Sequence, residues 1–270
     1  MYPKSKVLII AGSDSSGGAG IQADIKTVTS LGSYAMTAVT AVTAQNTMGV
    51  KQITQIPTKN VQKQMTMILN DIGSDAVKIG MLHNVSIIKC VYRILKKYNL
   101  KNIVLDPVMV AKGGTKLINN NSITYLKKLL LPLAKLITPN IPEAEILIGC
   151  RISNKEDMIK AAKTILNMGS ENVLLKGGHL KSKMICDILA TKKGIKVFSK
   201  KKIKTKNTHG TGCTLSSALA TCLSQKKNIV KSCKISLRYV DKAIASAPGY
   251  GKGFGPLNHL VSFNLRNTNV

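Results

Sequence analysis

The sequence has no tryptophan and only three phenylalanines, and arginine stands at four positions alone: Arg93, Arg151, Arg238 and Arg266. Base stacking needs aromatic platforms, and bidentate phosphate or base contacts favour arginine over lysine, so these scarcities weigh against nucleic acid as a partner. A formal net charge of +28 would otherwise put phosphate backbones first. The excess is carried by lysines scattered along the whole chain. None of the six cysteines forms a CxxC pair, and their irregular spacing suits neither a zinc site nor a disulfide framework. A reducing compartment is expected. No apolar run approaches the roughly 20 residues that cross a bilayer, and the run at 7–11 is too short for a signal peptide. The expected location is therefore the cytoplasm, with no membrane partner.

Acids are scarce too, twelve in 270 residues, so each one near a motif counts. Hydrophobic residues at 44% and charged residues at 19% describe an ordinary globular chain. The length suffices for one large α/β domain, and a single domain over 1–270 is expected.

Short apolar runs that end in Gly or Pro recur: "VLIIAG" from Val7, "AVKIG" from Ala76, "NIVLDP" from Asn102, "LIT" from Leu136 and "NVLLKGG" from Asn172. Apolar on both faces, such runs read as buried parallel strands. Between them, helical spacing spans 58–71, 84–98, 122–131 and 154–168, and further helices are expected at 212–225 and 229–247. Asn154 and Asp157 open one of these as an N-cap and a first-turn carboxylate. Alternating strands and helices predict a mostly parallel sheet with helices on both faces. Ligands of such sheets sit beyond the carboxyl ends of the strands, and every motif of interest falls there.

The first strand runs into "GSDSSGGAGIQAD", which lacks the Lys-Ser or Lys-Thr of a Walker A loop but removes side-chain bulk over 17–20, so the backbone can bend and approach a ligand. Asp24, at the turn into the next helix, reads as solvent-facing or as a mild partner of the helix dipole. In "TAVTAQNT", Gln45 offers a donor beside an acceptor, which suits the edge of a heterocycle. "LDPVMVAKGG" and "TPNIPEAE" place Asp106, Glu143 and Glu145 at two strand ends, where a magnesium ion with its phosphates would explain acids in so basic a chain, and where Glu143 and Glu145 equally suit the start of a helix and its dipole. Lys176 in "LLKGGH" can act as a point charge on phosphate. The eight lysines of 192–206 read as a solvated hairpin, with attraction of a polyanionic ligand as the alternative. In "NTHGTGCTLSSALA" a glycine turn starts a helix whose free amides, from Gly210 through Cys213, form an anion site beside the Cys213 thiol, which by its spacing alone also reads as a small buried residue at a helix start.

Taken in order, these motifs together with the late "GFGPLNH" resemble the ribokinase superfamily, and within it the hydroxymethylpyrimidine and phosphomethylpyrimidine kinases of thiamine biosynthesis. The resemblance implies a ribokinase-like fold, ATP and Mg²⁺, and a likeness to homodimers. It also implies two successive phosphorylations of a hydroxymethylpyrimidine, to the monophosphate and then the diphosphate. By the same resemblance Gly210, Gly212, Lys176 and Cys213 are catalytic, with Cys213 as the base. Gln45, Asp24, Gly12, Met81 and Val108 bind the pyrimidine. Asp106, Asn140, Glu143 and Thr211 bind the nucleotide, with Glu143 and Asp106 toward the metal. A thiol at a helix N-terminus is expected to have its pKa lowered from about 8.5 toward neutrality. Pyridoxal kinase is the alternative within the fold, and a nucleic-acid-binding protein on a kinase scaffold is the remote one.

Overall fold

Val7, Leu8, Ile9 and Ile10 are all fully buried, because the first strand lies inside a sheet covered on both faces. The structure, a computed structural model, describes residues 2–109 and 117–262. Residues 110–114, the tail of "LDPVMVAKGG", lie outside this range. The strands are β1 (Lys6–Asp14), β2 (Tyr34–Asn46), β3 (Gly49–Gln55), β4 (Ala76–Ile79), β5 (Ile103–Leu105), β6 (Leu136–Ile137), β7 (Asn172–Leu175), β8 (Met184–Thr191) and β9 (Gly194–Lys201). They form one sheet in the order β3-β2-β1-β4-β5-β6-β7-β8-β9. The pairs from β2 to β7 are parallel, whereas β3 on β2, β8 on β7 and β9 on β8 pair antiparallel at the two edges.

The helices are α1 (Gly20–Ser30), α2 (Thr58–Asp71), α3 (Val85–Lys97), α4 (Asn120–Tyr125), α5 (Ile141–Ile148), α6 (Lys155–Asn167), α7 (Thr211–Ser224) and α8 (Ile229–Ala245). Alternate residues of β1 serve two separate cores. Leu8 and Ile10 join the core that holds Ile87 and Val91 of α3 and Ile165 of α6. Val7 and Ile9 face Val28 of α1, Leu219 of α7 and Val240 of α8. Each fully buried aliphatic side chain of this kind contributes about 1.5–3 kcal/mol.

The helix starts follow local chemistry. Asn84, Asn154 and Asn228 each accept a backbone N–H from the first turn of α3, α6 and α8. The stretch 122–131 departs from the expected helix: α4 ends at Tyr125, a wide π turn covers Leu126–Leu130, and a 3₁₀ turn closes Leu131–Leu133. Pro132 explains the break, since it has no N–H to give the preceding turn and its ring crowds the carbonyl four residues back.

Consecutive connections leave β1 on opposite sides, to β2 and then through β3 and α2 to β4. The boundary between β1 and β4 is therefore the topological switch point at which open α/β sheets hold ligands.

Candidate active site

Gly210 adopts a left-handed backbone, φ +80°, as the N-cap of α7, and a Cβ there would stand 1.7 Å from the Gly18 carbonyl oxygen. Only glycine fits. This turn lets the start of α7 press against the glycine loop of residues 14–20. The Thr211 amide turns back to Thr208 O, so the anion site is narrower than the sequence suggested. Among the described residues no side chain caps this helix start, and the Gly212 and Cys213 amides at its second and third positions have no backbone acceptor. Unpaired amides and the helix dipole together favour an anion.

Every candidate residue but Asp24 and Glu145 lines one cavity of about 810 Å³ at the carboxyl ends of the strands. Gly12 at the end of β1, Gln45, Met81 and Val108 lie toward one end of the row of strands. Asn140 and Glu143 follow β6, and Lys176 follows β7.

Lys176 Nζ lies 3.1 Å from Asp106 Oδ1, which also receives the Thr138 hydroxyl at 3.2 Å. A Cβ on Gly212 would stand 3.3 Å from Lys176 Nζ and 3.5 Å from Asp106 Oδ2, so the pair sits directly against the amides of α7. Burial acts to raise Asp106, but Lys176 and Lys78 overcome it and hold the carboxyl below its usual range. Lys176 is raised: burial works against its charge, and Asp106 and Glu143 more than restore it. Asn140 and Glu143 form a reciprocal capping box at the start of α5, with Glu143 Oε2 accepting Asn140 N at 2.8 Å. Burial pushes Glu143 up to about 7 against the pull of Lys176. Glu145 is turned away from this group and accepts the Ile152 amide at 2.8 Å instead.

Asp24 corrects the sequence reading. It is fully buried on α1 rather than solvent-facing, and it does not line the cavity. Lys78 Nζ donates to its Oδ2 at 2.7 Å and the Ser217 hydroxyl to its Oδ1 at 2.7 Å. Burial pushes Asp24 up and Lys78 opposes this, while Lys78 itself is raised by Asp24, Cys213 and Asp106 against burial. With two donors on the carboxylate at such short distances, we read the pair as ionised. Lys78 also reaches the cavity wall.

Cys213 is the second correction. Its thiol borders the cavity beside α1 and is contacted by the Gly20 amide, yet burial pushes it up to about 12 despite the attraction of Lys78. Desolvation of a thiolate outweighs the helix start, so at neutral pH the resting group is a thiol.

Three further residues that line the cavity were not singled out by the sequence: Lys78, Asp14 and His209. Lys78 had a signal, a charge inside the buried run "AVKIG". Asp14 and His209 sit within quoted motifs but 195 positions apart, and their pairing had none. His209 Nε2 lies 2.7 Å from Asp14 Oδ2, both side chains nearly buried, and Gln45 Nε2 lies 3.5 Å from the same ring nitrogen. Asp14 also accepts Ser16 N and Oγ and Ala19 N, which fixes the glycine loop. The "GFGP" segment crosses the same region. His209 N donates to Gly255 O at 3.0 Å, and Phe254 N donates to Thr47 O at 2.9 Å.

The lysine-rich stretch at 192–206 is a β8–β9 hairpin at the sheet edge, and Lys200, Lys201 and Lys202 border the cavity. Lys200 pairs with Asp241 of α8, and Lys202 Nζ reaches Gly178 O at 3.0 Å. Among the described residues no helix is long and apolar enough to cross a membrane.

Free amides at a glycine-started helix, a lysine–carboxylate pair against them and a polar amide across the same cavity, all on this sheet, define a ribokinase-like small-molecule kinase. The chain belongs to the phosphomethylpyrimidine kinase family, whose model matches residues 14–258. It is 48% identical over 261 residues to the thiamine biosynthesis bifunctional protein ThiED of Geobacter sulfurreducens, covering 97% of this chain but only 53% of that protein, about half its length. It is 43% identical to the hydroxymethylpyrimidine/phosphomethylpyrimidine kinase of Bacillus subtilis, covering 95% of each. Among solved structures, the pyridoxal kinase of Staphylococcus aureus in complex with ADP superposes with a TM-score of 0.90 at 33% identity, covering 97% of this chain and 95% of that one.

Proposed function

We propose that this chain transfers the terminal phosphoryl group of ATP to 4-amino-5-hydroxymethyl-2-methylpyrimidine and then to the resulting monophosphate, giving the diphosphate used in thiamine biosynthesis. One observation carries the reading: Gln45, able to match a heterocycle edge, shares a single cavity with the Gly212 and Cys213 amides and Lys176. It is supported by the family and by the Bacillus subtilis relative of nearly equal length.

In this reading Gly12, Gln45, Met81 and Val108 enclose the pyrimidine, and Asp24 acts from behind the wall through Lys78. The amides at the start of α7 and the Lys176 ammonium meet the charge that gathers on the migrating phosphoryl oxygens, where preorganised donors give most of the acceleration. Thr211, Asn140 and the lysines of β9 lie where the nucleotide phosphates would pass. Asp106 and Glu143 suit a magnesium ion that keeps most of its shell as water and phosphate oxygen, since both carboxylates already serve protein donors and retain acceptor capacity. Such an ion supplies charge neutralisation on the phosphates. Because the resting Cys213 holds its proton, its first task is to donate or to fill space beside the hydroxymethyl oxygen. A single kinase unit acting as a homodimer in the cytoplasm completes the proposal.

The test is a product assay with ATP and a panel of hydroxymethylpyrimidine, its monophosphate and pyridoxal. Sequential formation of the monophosphate and diphosphate is expected. Turnover of pyridoxal with no pyrimidine product would establish the second reading, pyridoxal kinase, which the 0.90 superposition on that enzyme favours.

A further inference from the structure

The side chain of Gln45 stands between two groups whose own protons are already committed. Asp14 Oδ1 accepts Ser16 N at 2.9 Å and Ser16 Oγ at 2.8 Å, and its Oδ2 accepts Ala19 N at 2.8 Å. A carboxyl group with so many donors is a carboxylate and can only accept. Its 2.7 Å contact with His209 Nε2 therefore requires a proton on that nitrogen. His209 is thereby fixed as a donor at Nε2. Burial would raise Asp14, but His209 and Ser16 outweigh it and lower the group to about 2, in agreement.

On the other side of Gln45, the Thr43 hydroxyl donates to Ser13 O at 2.8 Å. A hydroxyl has one proton, so the Thr43 oxygen faces Gln45, at 3.1 Å, as an acceptor. An amide whose nitrogen points at His209 and whose oxygen points at Thr43 meets a donor with a donor and an acceptor with an acceptor. Turned by 180°, the NH₂ donates to Thr43 Oγ1, and the carbonyl faces the His209 Nε2–H whose one proton stays on Asp14, so the NH₂ no longer confronts that N–H at 3.5 Å. Oxygen and nitrogen of an amide are assigned by such networks.

We propose that Thr43 and the Asp14–His209 pair are specificity residues that lock the Gln45 amide in one orientation, its carbonyl toward His209 and its NH₂ toward Thr43, and so fix the polarity shown to the substrate ring. The lock works from both sides and needs no movement on binding. The amide then offers its carbonyl lone pairs and one remaining proton in a set order, which matches a ring with an exocyclic amine beside an unprotonated ring nitrogen. A ring with that order reversed, an oxo group beside a protonated ring nitrogen, meets two mismatches. A site built to hydrogen-bond one pattern rejects the other because its buried groups are left unpaired. Both neighbours are positioning residues: they act through Gln45.

This inference rests on the pyrimidine kinase reading above. The experiment compares kcat/KM for the aminopyrimidine and for its deaminated 4-oxo analogue, in the unaltered protein and in Thr43→Val, which removes the acceptor and keeps the shape. The unaltered protein should prefer the amino ring. Thr43→Val should lose about tenfold or more of that preference as the amide becomes free to turn, chiefly by gaining on the oxo ring. Equal loss on both substrates, with the ratio preserved, would mean a structural role only and overturn the lock. If Thr43→Val does not fold, His209→Asn, which is too short to reach both Asp14 and Gln45, carries the same ratio test. Failure of the unaltered protein to phosphorylate either pyrimidine while it accepts pyridoxal would overturn the function itself, a result separable from a preserved ratio.

Discussion

Lys78 of β4 and Asp24 of α1 meet across 2.7 Å with neither side chain exposed. A buried ion pair costs desolvation on both sides, and its removal from one side leaves the other charge uncompensated. Lys78→Met should therefore destabilise the protein by about 3–5 kcal/mol, whereas Lys78→Met with Asp24→Leu should recover much of that loss. Denaturant unfolding of the two variants checks this. A loss in the single variant no larger than that of an ordinary surface substitution would show that Asp24 is neutral.

Asp14 links stability to acid. Its folded pKa of about 2 lies below the ordinary 3.8, so its contribution is fully present above the unfolded value and disappears as pH falls through the folded one. The contribution amounts to about 2 kcal/mol, lost between about pH 4 and pH 2. Asp14→Asn should flatten that part of a Tm-against-pH curve and lower Tm at pH 7. An unchanged acid limb would refute the assignment.

Cys213→Ala tests what the thiol does. With the group pushed up to about 12, almost no thiolate is present at pH 7, so the substitution should slow both phosphorylations by similar factors, each below about 100-fold. Single-turnover rates for the alcohol and for the monophosphate separate the steps. A loss confined to the alcohol, the only acceptor that must give up a proton, would show that bound substrate draws out the thiolate and would restore Cys213 as the base.

Two glycines of one turn should respond differently. Gly210→Ala adds left-handed strain of about 1–3 kcal/mol and drives a methyl into Gly18 O, so both stability and turnover should collapse. Gly212→Ala has ordinary helical φ and meets Lys176 Nζ at 3.3 Å. It should fold normally and lose kcat by displacing that ammonium. Thermal melts beside initial rates distinguish the two.

The strands were legible because doubly covered β-strands must be apolar on both faces, as Val7 to Ile10 are. The anion turn was legible too, because only a glycine fits the left-handed conformation at Gly210 and helix starts leave amides unpaired. Position across the fold was not. Asp24 looked like a surface acid because nothing local reveals that Lys78, 54 residues on, will reach it from the neighbouring strand. Cys213 was expected to be activated because a helix start lowers a thiol's pKa, whereas its spacing alone suits a small buried residue, and burial decides the pKa. The helix expected over 122–131 gives way to a π turn at Leu126–Leu130, ahead of Pro132, whose effect on the preceding turn is visible in the sequence.

The "GFGP" segment ties together parts that the rest of the fold leaves apart. Its Gly255 holds the turn that begins α7, and its Phe254 holds the tip of the β2–β3 hairpin just beyond Gln45. On a growing chain all nine strands are made before this stretch, so the sheet can form while the pocket is still unfastened. Competence for catalysis then arrives only after every strand of the sheet has been made, when the bulk of the apolar surface can already be hidden.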